Sequence, residues 1–359
     1  MSAEAPSIVA AGELRGLPRL TWGWTAVGLA FLGVALGIGV LVGPVRMSPW
    51  DVLQALLSAL HVRGSPGPAD PGQASILWSL RLPRVVLGAI VGGMLATAGA
   101  AYQGVFRNPL ADPYLLGAAA GAELGATLAI AFLAAASPAF VNVVPMAAFV
   151  GATLAVGAAY VLGRTVTGSR NPTMLILAGV AIASFLNAVQ IYVQQAQSNS
   201  FRQVYTWILG RLVTAGWDGV LLIAPYVALS LAVIFGHRRL LDTLAVGDEE
   251  AASLGVSARR VRLVVVAAAT LGTAAAVAIA GTIAFVGIVI PHTVRLLVGR
   301  SYRVVVPLSM LGGAAFLVLA DAAARSVASP AEVPIGVITA LVGAPFFVAV
   351  MRSTRAAAM

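Results

Sequence analysis

Trp22-Gly-Trp-Thr-Ala-Val-Gly-Leu-Ala-Phe-Leu-Gly-Val-Ala-Leu-Gly-Ile-Gly-Val-Leu-Val42 runs without a charged residue, and its length is that of a membrane crossing. At 1.5 Å of rise per residue, roughly 20 apolar residues cover the hydrocarbon core of a bilayer. Lipid offers the backbone no hydrogen-bond partner, so a crossing of this kind must be helical. The polar start before it, with Glu13, Arg15 and Arg19, lacks a convincing small-residue cleavage site. The run is also too long for a secretory leader, so it is kept as a span. Comparable runs follow at 85–102, 116–136, 139–162, 174–194, 218–236, 262–280, 283–298, 305–322 and 334–351, the 283–298 run being interrupted by Pro291 and His292. The expected fold is all-α: a polytopic integral membrane protein of about ten transmembrane helices, forming a single domain over residues 1–359, with residues 1–20 as an N-terminal segment. Residues 43–81 read as a long polar connection, turn-rich at 64–72, with an interfacial helix from Pro49 to His61. The patch from Gln195 to Gln203 reads as lying outside the membrane or at its edge.

Composition agrees. Apolar residues make up 60% of the chain and charged residues 10%, with a mean hydropathy of +0.95, whereas a soluble domain carries about 25% charge. No cysteine is present, which excludes disulfides, thiolate nucleophiles and cysteine metal sites. All 22 basic residues are arginine, so a P-loop lysine and a Schiff-base lysine are excluded too. The net charge of +9 is scattered between the spans rather than gathered on one face, which argues against nucleic-acid binding. With both termini cytoplasmic, the inner segments hold the larger share of the arginines, Arg238, Arg239, Arg259, Arg260 and Arg262 among them, as the positive-inside rule requires. The outer segments then hold Arg46, Arg63, Arg81, Arg84, Arg202, Arg211 and Arg325.

Ten spans divide into two sets of five, and an odd set inserts its successor upside down, giving two inverted five-helix halves. The internal echo is faint: a Gly/Ala-rich helix in each half runs into a Pro-containing polar patch, Asn108-Pro109 in one and Pro291-His292 in the other. Shared low complexity explains the same echo. Gly117, Gly121 and Gly125 recur every four residues, as do Gly88 and Gly92. Such spacing lets helix backbones touch in lipid, either within the bundle or at a subunit interface.

Seven phrases, in order, resemble the FecCD family of permease subunits. They are Arg81-Leu-Pro-Arg84; Gln103-Gly-Val-Phe-Arg-Asn-Pro-Leu-Ala-Asp-Pro113 with Leu115-Leu-Gly117; Leu177-Ala-Gly179; Gly247-Asp-Glu-Glu-Ala-Ala-Ser-Leu-Gly255; Gly287-Ile-Val-Ile-Pro-His292; Pro334-Ile-Gly-Val-Ile-Thr339; and Gly343-Ala-Pro345. The resemblance implies a permease of an ATP-binding cassette importer in the bacterial cytoplasmic (inner) membrane, carrying a bulky metal chelate: a ferric siderophore or haem, or else vitamin B12 or another corrinoid. It implies a homodimer, two separate ATPase subunits that hold ATP and magnesium, a substrate-binding protein outside, and no cofactor or catalysis on this chain. By the same resemblance Arg81, Arg84 and Arg325 dock the binding protein, a task that suits a planar guanidinium facing carboxylates. The segment 238–262, centred on Gly247, Asp248, Glu249, Glu250, Ala251, Leu254 and Gly255, couples to the ATPase. Asn171 and Thr173 fall where related permeases narrow on the cytoplasmic side, although a plain interfacial turn explains them as well. Asn108, Pro109, Pro291 and His292 belong to structural phrases.

The acids at 248–250 and the bases at 259–262 read as the start and end of one short helix, matching its macrodipole. Asp321 is expected to pair with Arg325 one turn on or to pack a helix. Glu123, an acid within the third span, is a candidate site or a solvated group near the boundary. His61, His237 and His292 have no metal-ligand spacing. A proton- or sodium-driven secondary transporter would need convergent buried acids, and a membrane enzyme would need a catalytic set; Glu123 is the single candidate for the first, and nothing serves the second.

Overall fold

A computed structural model describes residues 20–43, 45, 47–59, 71–133, 140–165, 172–212 and 216–356. The expected N-terminal segment up to residue 19 and Asn171 lie outside them. The described residues form helices and no strand: α1 (Trp22–Leu41), α2 (Pro49–Ala59), α3 (Pro71–Ile76), α4 (Leu82–Phe106), α5 (Ala118–Leu128), α6 (Phe140–Thr165), α7 (Pro172–Ala196), α8 (Phe201–Ile208), α9 (Asp218–Val246), α10 (Asp248–Ser253), α11 (Ala258–Ala280), α12 (Val286–Val298), α13 (Tyr302–Ser326) and α14 (Ile335–Ala356). Each of the ten apolar runs is a helix. Seven are long and apolar enough to cross a membrane, and the spans at 118–133, 286–298 and 335–350 are shorter.

Two helix bounds and one polar patch depart from the sequence reading. Residues 71–81 are not connection: α3 passes through one wide turn, Leu77–Arg81, straight into α4. Pro71 opens the helix, where its missing N–H costs nothing. Pro83 cannot donate to the Ser79 carbonyl four residues back, and the wide turn frees that group for the Gly216 N–H at 3.1 Å, while the Trp78 carbonyl takes the Trp217 indole N–H at 3.1 Å. Secondly, α9 continues ten residues beyond its apolar run, to Val246. Apolarity marks where lipid ends, whereas a helix persists in water. Thirdly, the polar patch after α7 holds a short helix of its own, α8.

Helices α4 and α11 form the centre: 83% and 72% of their apolar windows are buried, against 17% for α1 and α7. Lipid is as apolar as leucine, so close packing rather than the hydrophobic effect joins spans. The small residues serve this inside the chain. A Cβ on Gly121 or Gly125 would overlap the α6 backbone at Gly151 or Ala147, one on Gly92 would strike Gly313 of α13, and one on Gly99 would strike Gly287 of α12. Gly117 instead caps α5 at φ 84°.

The contacts repeat five spans apart. α5 packs on α6 and α7, and α12 on α13 and α14; α6 packs on α7, and α13 on α14; α4 packs on α12 and α13, and α11 on α5 and α6. The links between the second and third span of each half also match, because both leave and enter their helices at positive φ: Arg107 (51°) and Gly117 (84°) in one, Gly281 (70°) and Phe285 (70°) in the other. The sequence echo was misplaced. Asn108-Pro109 lies in the first of these links, but Pro291-His292 lies inside α12, whose counterpart is α5.

Candidate functional site

Polar side chains gather at the two ends of the bundle. At one end α1 stops, leaving terminal carbonyls that no residue of its own can satisfy, for its last turn holds no basic side chain. Arg81 and Arg325 supply the donors. Arg325 Nη1 and Nη2 donate to the Val42 and Gly39 carbonyls at 2.8 and 3.0 Å. Arg81 Nη1 donates to Val40 and Leu41 at 2.6 and 3.1 Å, and its Nη2 to Val45. Both guanidinia flank Gly43, where a Cβ would press on each. They also place positive charge at the negative end of the α1 dipole. Both side chains are buried, at 5% and 4% exposure.

Arg84, one turn beyond Arg81, is the more accessible of the three. It forks between Asp321, at 2.9 Å from Nη2, and Glu332, at 2.9 Å from Nη1. Asp321 also pairs with Arg325 Nε at 2.9 Å, so one buried carboxylate joins two guanidinia. The hydrogen bond from Arg84 holds the Glu332 carboxyl below its ordinary 4.5, with Arg325 and Arg211 adding to the effect.

The opposite end carries α10. Gly247, at φ 154°, precedes it, and a Cβ there would collide with the Glu250 carboxyl. Gly255, at φ 75°, closes it: its N–H reaches the Ala252 carbonyl, and Val256 N–H reaches Ala251, the bond pattern of a glycine-terminated helix. Acids 248–250 fill the first turn of α10, but Arg259, Arg260 and Arg262 belong to α11, near its N-terminus. The single-helix reading of this segment is therefore corrected, because Gly255 ends the helix before the bases begin. Two of those bases thus sit at the unfavourable pole of α11. Arg262 is neutralised by Asp248, with Nη1 to Oδ2 at 2.7 Å, and Asp248 also takes Arg107 at the end of α4. Ala251 is buried, whereas Leu254 is 70% exposed. Beside them Asp242 of α9 caps α13, accepting from Ser301 Oγ at 2.8 Å and Tyr302 N at 2.6 Å.

The middle holds a junction that sequence reasoning missed. Pro291 cannot donate to the Gly287 carbonyl, and the buried Gln103 amide donates there instead, at 3.2 Å. Arg295 Nη1 in turn donates to Gln103 Oε1. Gln103 opens one motif phrase and Gly287 another, but nothing in the sequence joins them. In the preceding link Asn108 Oδ1 accepts from Leu110 N and Asp112 Oδ1 from Tyr114 N, while the Tyr114 hydroxyl donates to Ile283 of the matching link. His292 stands edge-on to Phe346 at 5.9 Å.

A cavity of ≈ 570 Å³ lies where the end of α8, the 282–284 link and the start of α14 meet, with Leu209, Thr282, Val337 and Leu341 in its wall. Glu123 of α5 is half-buried, and the Thr282 hydroxyl donates to the Ile208 carbonyl at 2.6 Å. Thr173 lies in the first turn of α7. Among the described residues no group of His, Asp or Glu could hold a metal ion.

The profile described as the FecCD transport family matches residues 31–353. The chain is 40% identical to the cobalamin import system permease protein BtuC of Halobacterium salinarum, over 87% of this chain and 81% of that one. It is 39% identical to the iron(3+)-hydroxamate import system permease protein FhuB of Bacillus subtilis, over 78% and 72%. A solved structure described as an inward-facing metal-chelate type ABC transporter superposes with a TM-score of 0.79 at 28% identity, covering 91% of this chain and 98% of that one.

Proposed function

This chain belongs to the FecCD transport family as a multi-pass permease of an ABC importer, and on that premise we propose that it carries a ferric chelate, siderophore-bound iron or haem, across the bacterial cytoplasmic membrane with both termini inside. The single observation that best supports an ATP-driven importer is α10, a separate short helix held at one end of the bundle by Asp248 between Arg107 and Arg262. A rigid, exposed helix tied to α4 and α11 is what an external motor needs to push upon. ATP and magnesium are held by two partner ATPases. Their closure shifts α10, and the bundle switches between inward and outward openings through differential stability of the two states. Two copies of the chain enclose the cargo path, which we place along the cavity beside Thr282, with Asn171 and Thr173 narrowing its cytoplasmic mouth. The apolar wall holds a bulky chelate loosely, and selectivity rests with an external binding protein.

That protein docks at the α1 end. Arg84 offers the accessible fork, and Arg81 and Arg325 supply charge and rigidity beneath it. Arg84→Ala is expected to weaken binding-protein affinity while ATPase assembly survives; equal affinity in both proteins would sink the assignment. Charge reversal at Glu249 or a bulky residue at Ala251 is expected to leave ATP hydrolysis running without transport.

The 40% identity to a cobalamin permease favours one second reading, a corrinoid cargo. Vesicles holding this chain with its ATPase and binding protein, offered labelled haem, a ferric siderophore and cobalamin with and without ATP, decide between them. ATP-dependent accumulation of an iron chelate is expected. Uptake of cobalamin alone moves the assignment to the second reading, and uptake driven by an ion gradient without ATP overturns the importer.

A further inference from the structure

A groove of ≈ 580 Å³ opens sideways between α6, α9 and α11, far from the cavity at Thr282. Val156, Gly157, Leu229, Val233, Leu263 and Ala267 line it. Of its hydroxyls, Thr153 donates to the Phe149 carbonyl and Thr270 is hydrogen-bonded to Tyr102 at 2.9 Å, while Ser230 Oγ is buried without a hydrogen-bond partner among the described residues. The wall therefore presents mostly hydrocarbon, and it runs from the middle of α6, α9 and α11 toward the end of the bundle that carries α10, where α6 and α9 end and α11 begins.

Residues 260, 263, 264, 267 and 271 share one face of α11. From Arg260 to Leu271 the helix rises about 16 Å, close to half of the roughly 30 Å hydrocarbon core. The lined stretch, Leu263 to Leu271, accounts for about 12 Å of this, and with Arg260 at its head the groove reaches the depth of one leaflet. One turn before the lining residues Leu263 and Val264 stand Arg259 and Arg260, both exposed, and about a turn and a half beyond Val233 on α9 stand Arg238, half-buried, and Arg239, exposed. Among the described residues none of these four has a carboxylate partner, in contrast to Arg262, which Asp248 neutralises. Arg238 lies over the Phe235 ring at 5.6 Å. An apolar trough of leaflet depth with unpaired guanidinia at its head is complementary to one class of molecule.

We propose that this groove holds one anionic phospholipid of the leaflet beside α10, with an acyl chain along the α6–α9–α11 wall and its phosphate between Arg259 and Arg260. The proposal stands independently of the cargo. Because α11 follows α10 directly, the lipid braces the helix that the ATPase moves.

The test is native mass spectrometry of the full-length chain in detergent, alone and assembled with its ATPase subunits, titrated with phosphatidylglycerol or phosphatidylcholine. Phosphatidylglycerol is expected to remain bound in both forms, and the R259Q/R260Q double variant to lose affinity about fivefold for each arginine removed. Gly157→Phe is expected to lose the lipid too, since a side chain at Gly157 meets nothing within 4 Å and fills the trough without displacing a neighbour. Equal retention of the two lipids, unchanged retention in the arginine variant, loss of the lipid on ATPase assembly, or displacement by inorganic phosphate alone would each overturn the site. The arginine variant changes exposed side chains, so the test remains decisive if the groove variant does not fold.

Discussion

Arg81 and Arg325 complete a helix to which neither belongs. Replacing Arg325 by Met would strip donors from the Gly39 and Val42 carbonyls and leave Asp321 with Arg84 alone. Buried acceptors left unpaired cost about 1–3 kcal/mol each, so for the two carbonyls a loss of about 2–6 kcal/mol is expected. It would be read as a lower Tm in detergent and as faster hydrogen exchange at the end of α1 than in α11; an undisturbed α1 would refute the capping role. Glu332 gives a pH-dependent counterpart. Its carboxyl titrates below the ordinary 4.5 because Arg84 donates to it. Its contribution to stability is therefore fully present above 4.5 and fades as pH falls through the lowered value. Wild type should lose Tm in that acid range more steeply than Glu332→Gln; parallel curves would remove Glu332 from the network. That the three arginines mark one end of the bundle was legible from their place beside apolar runs. Which carbonyls they serve was not, because those partners lie dozens to hundreds of residues away and periodicity carries no such distance.

Between helices the recurrent device is repair from outside. Gln103 stands in for the proton Pro291 lacks, Gly216 and Trp217 satisfy the wide turn before α4, and Asp242 caps α13. Gln103→Leu would orphan the Gly287 carbonyl, with an expected cost of about 1–3 kcal/mol. Pro291→Ala restores an N–H that can close the helix on Gly287, so the double variant should recover part of the loss. A thermal-unfolding cycle checks this, and additive losses would show that Gln103 does not act on that carbonyl. The ten crossings were readable because hydrocarbon imposes a minimum length of apolar residues. Helix ends in water were not, as α9 shows by continuing through His237, Arg238 and Arg239. Phe285, held at φ 70° against Gly343, is another feature without a sequence signal. A bulky residue there costs roughly 1–3 kcal/mol, so packing rather than local preference sets it.

Across the protein, α4 and α13 run from one polar cluster to the other, 25 residues each, a distance of about 37 Å. They touch midway at Gly92 and Gly313. Gly92→Leu would wedge them apart, at a typical overpacking cost of about 1–3 kcal/mol. Binding-protein affinity and binding-protein-stimulated ATP hydrolysis should then fall together, although no residue at either end has changed; loss of one without the other would mean the two rods do not link the ends. The five-helix repeat was hard to read in the residues because it resides in packing partners and in the positive-φ entries at Gly117 and Phe285, of which only the glycine is conspicuous. The capping of α1 also bears on how the protein is made. Its first crossing leaves the ribosome long before Arg325, which lies 283 residues beyond the Val42 carbonyl it serves. At ordinary elongation rates that interval is on the order of half a minute. Throughout it α1 lacks the share of its cap that Arg325 supplies, and a chain truncated before α13 would expose that defect permanently, as a mark by which a membrane protease could tell an abandoned nascent chain from a completed one.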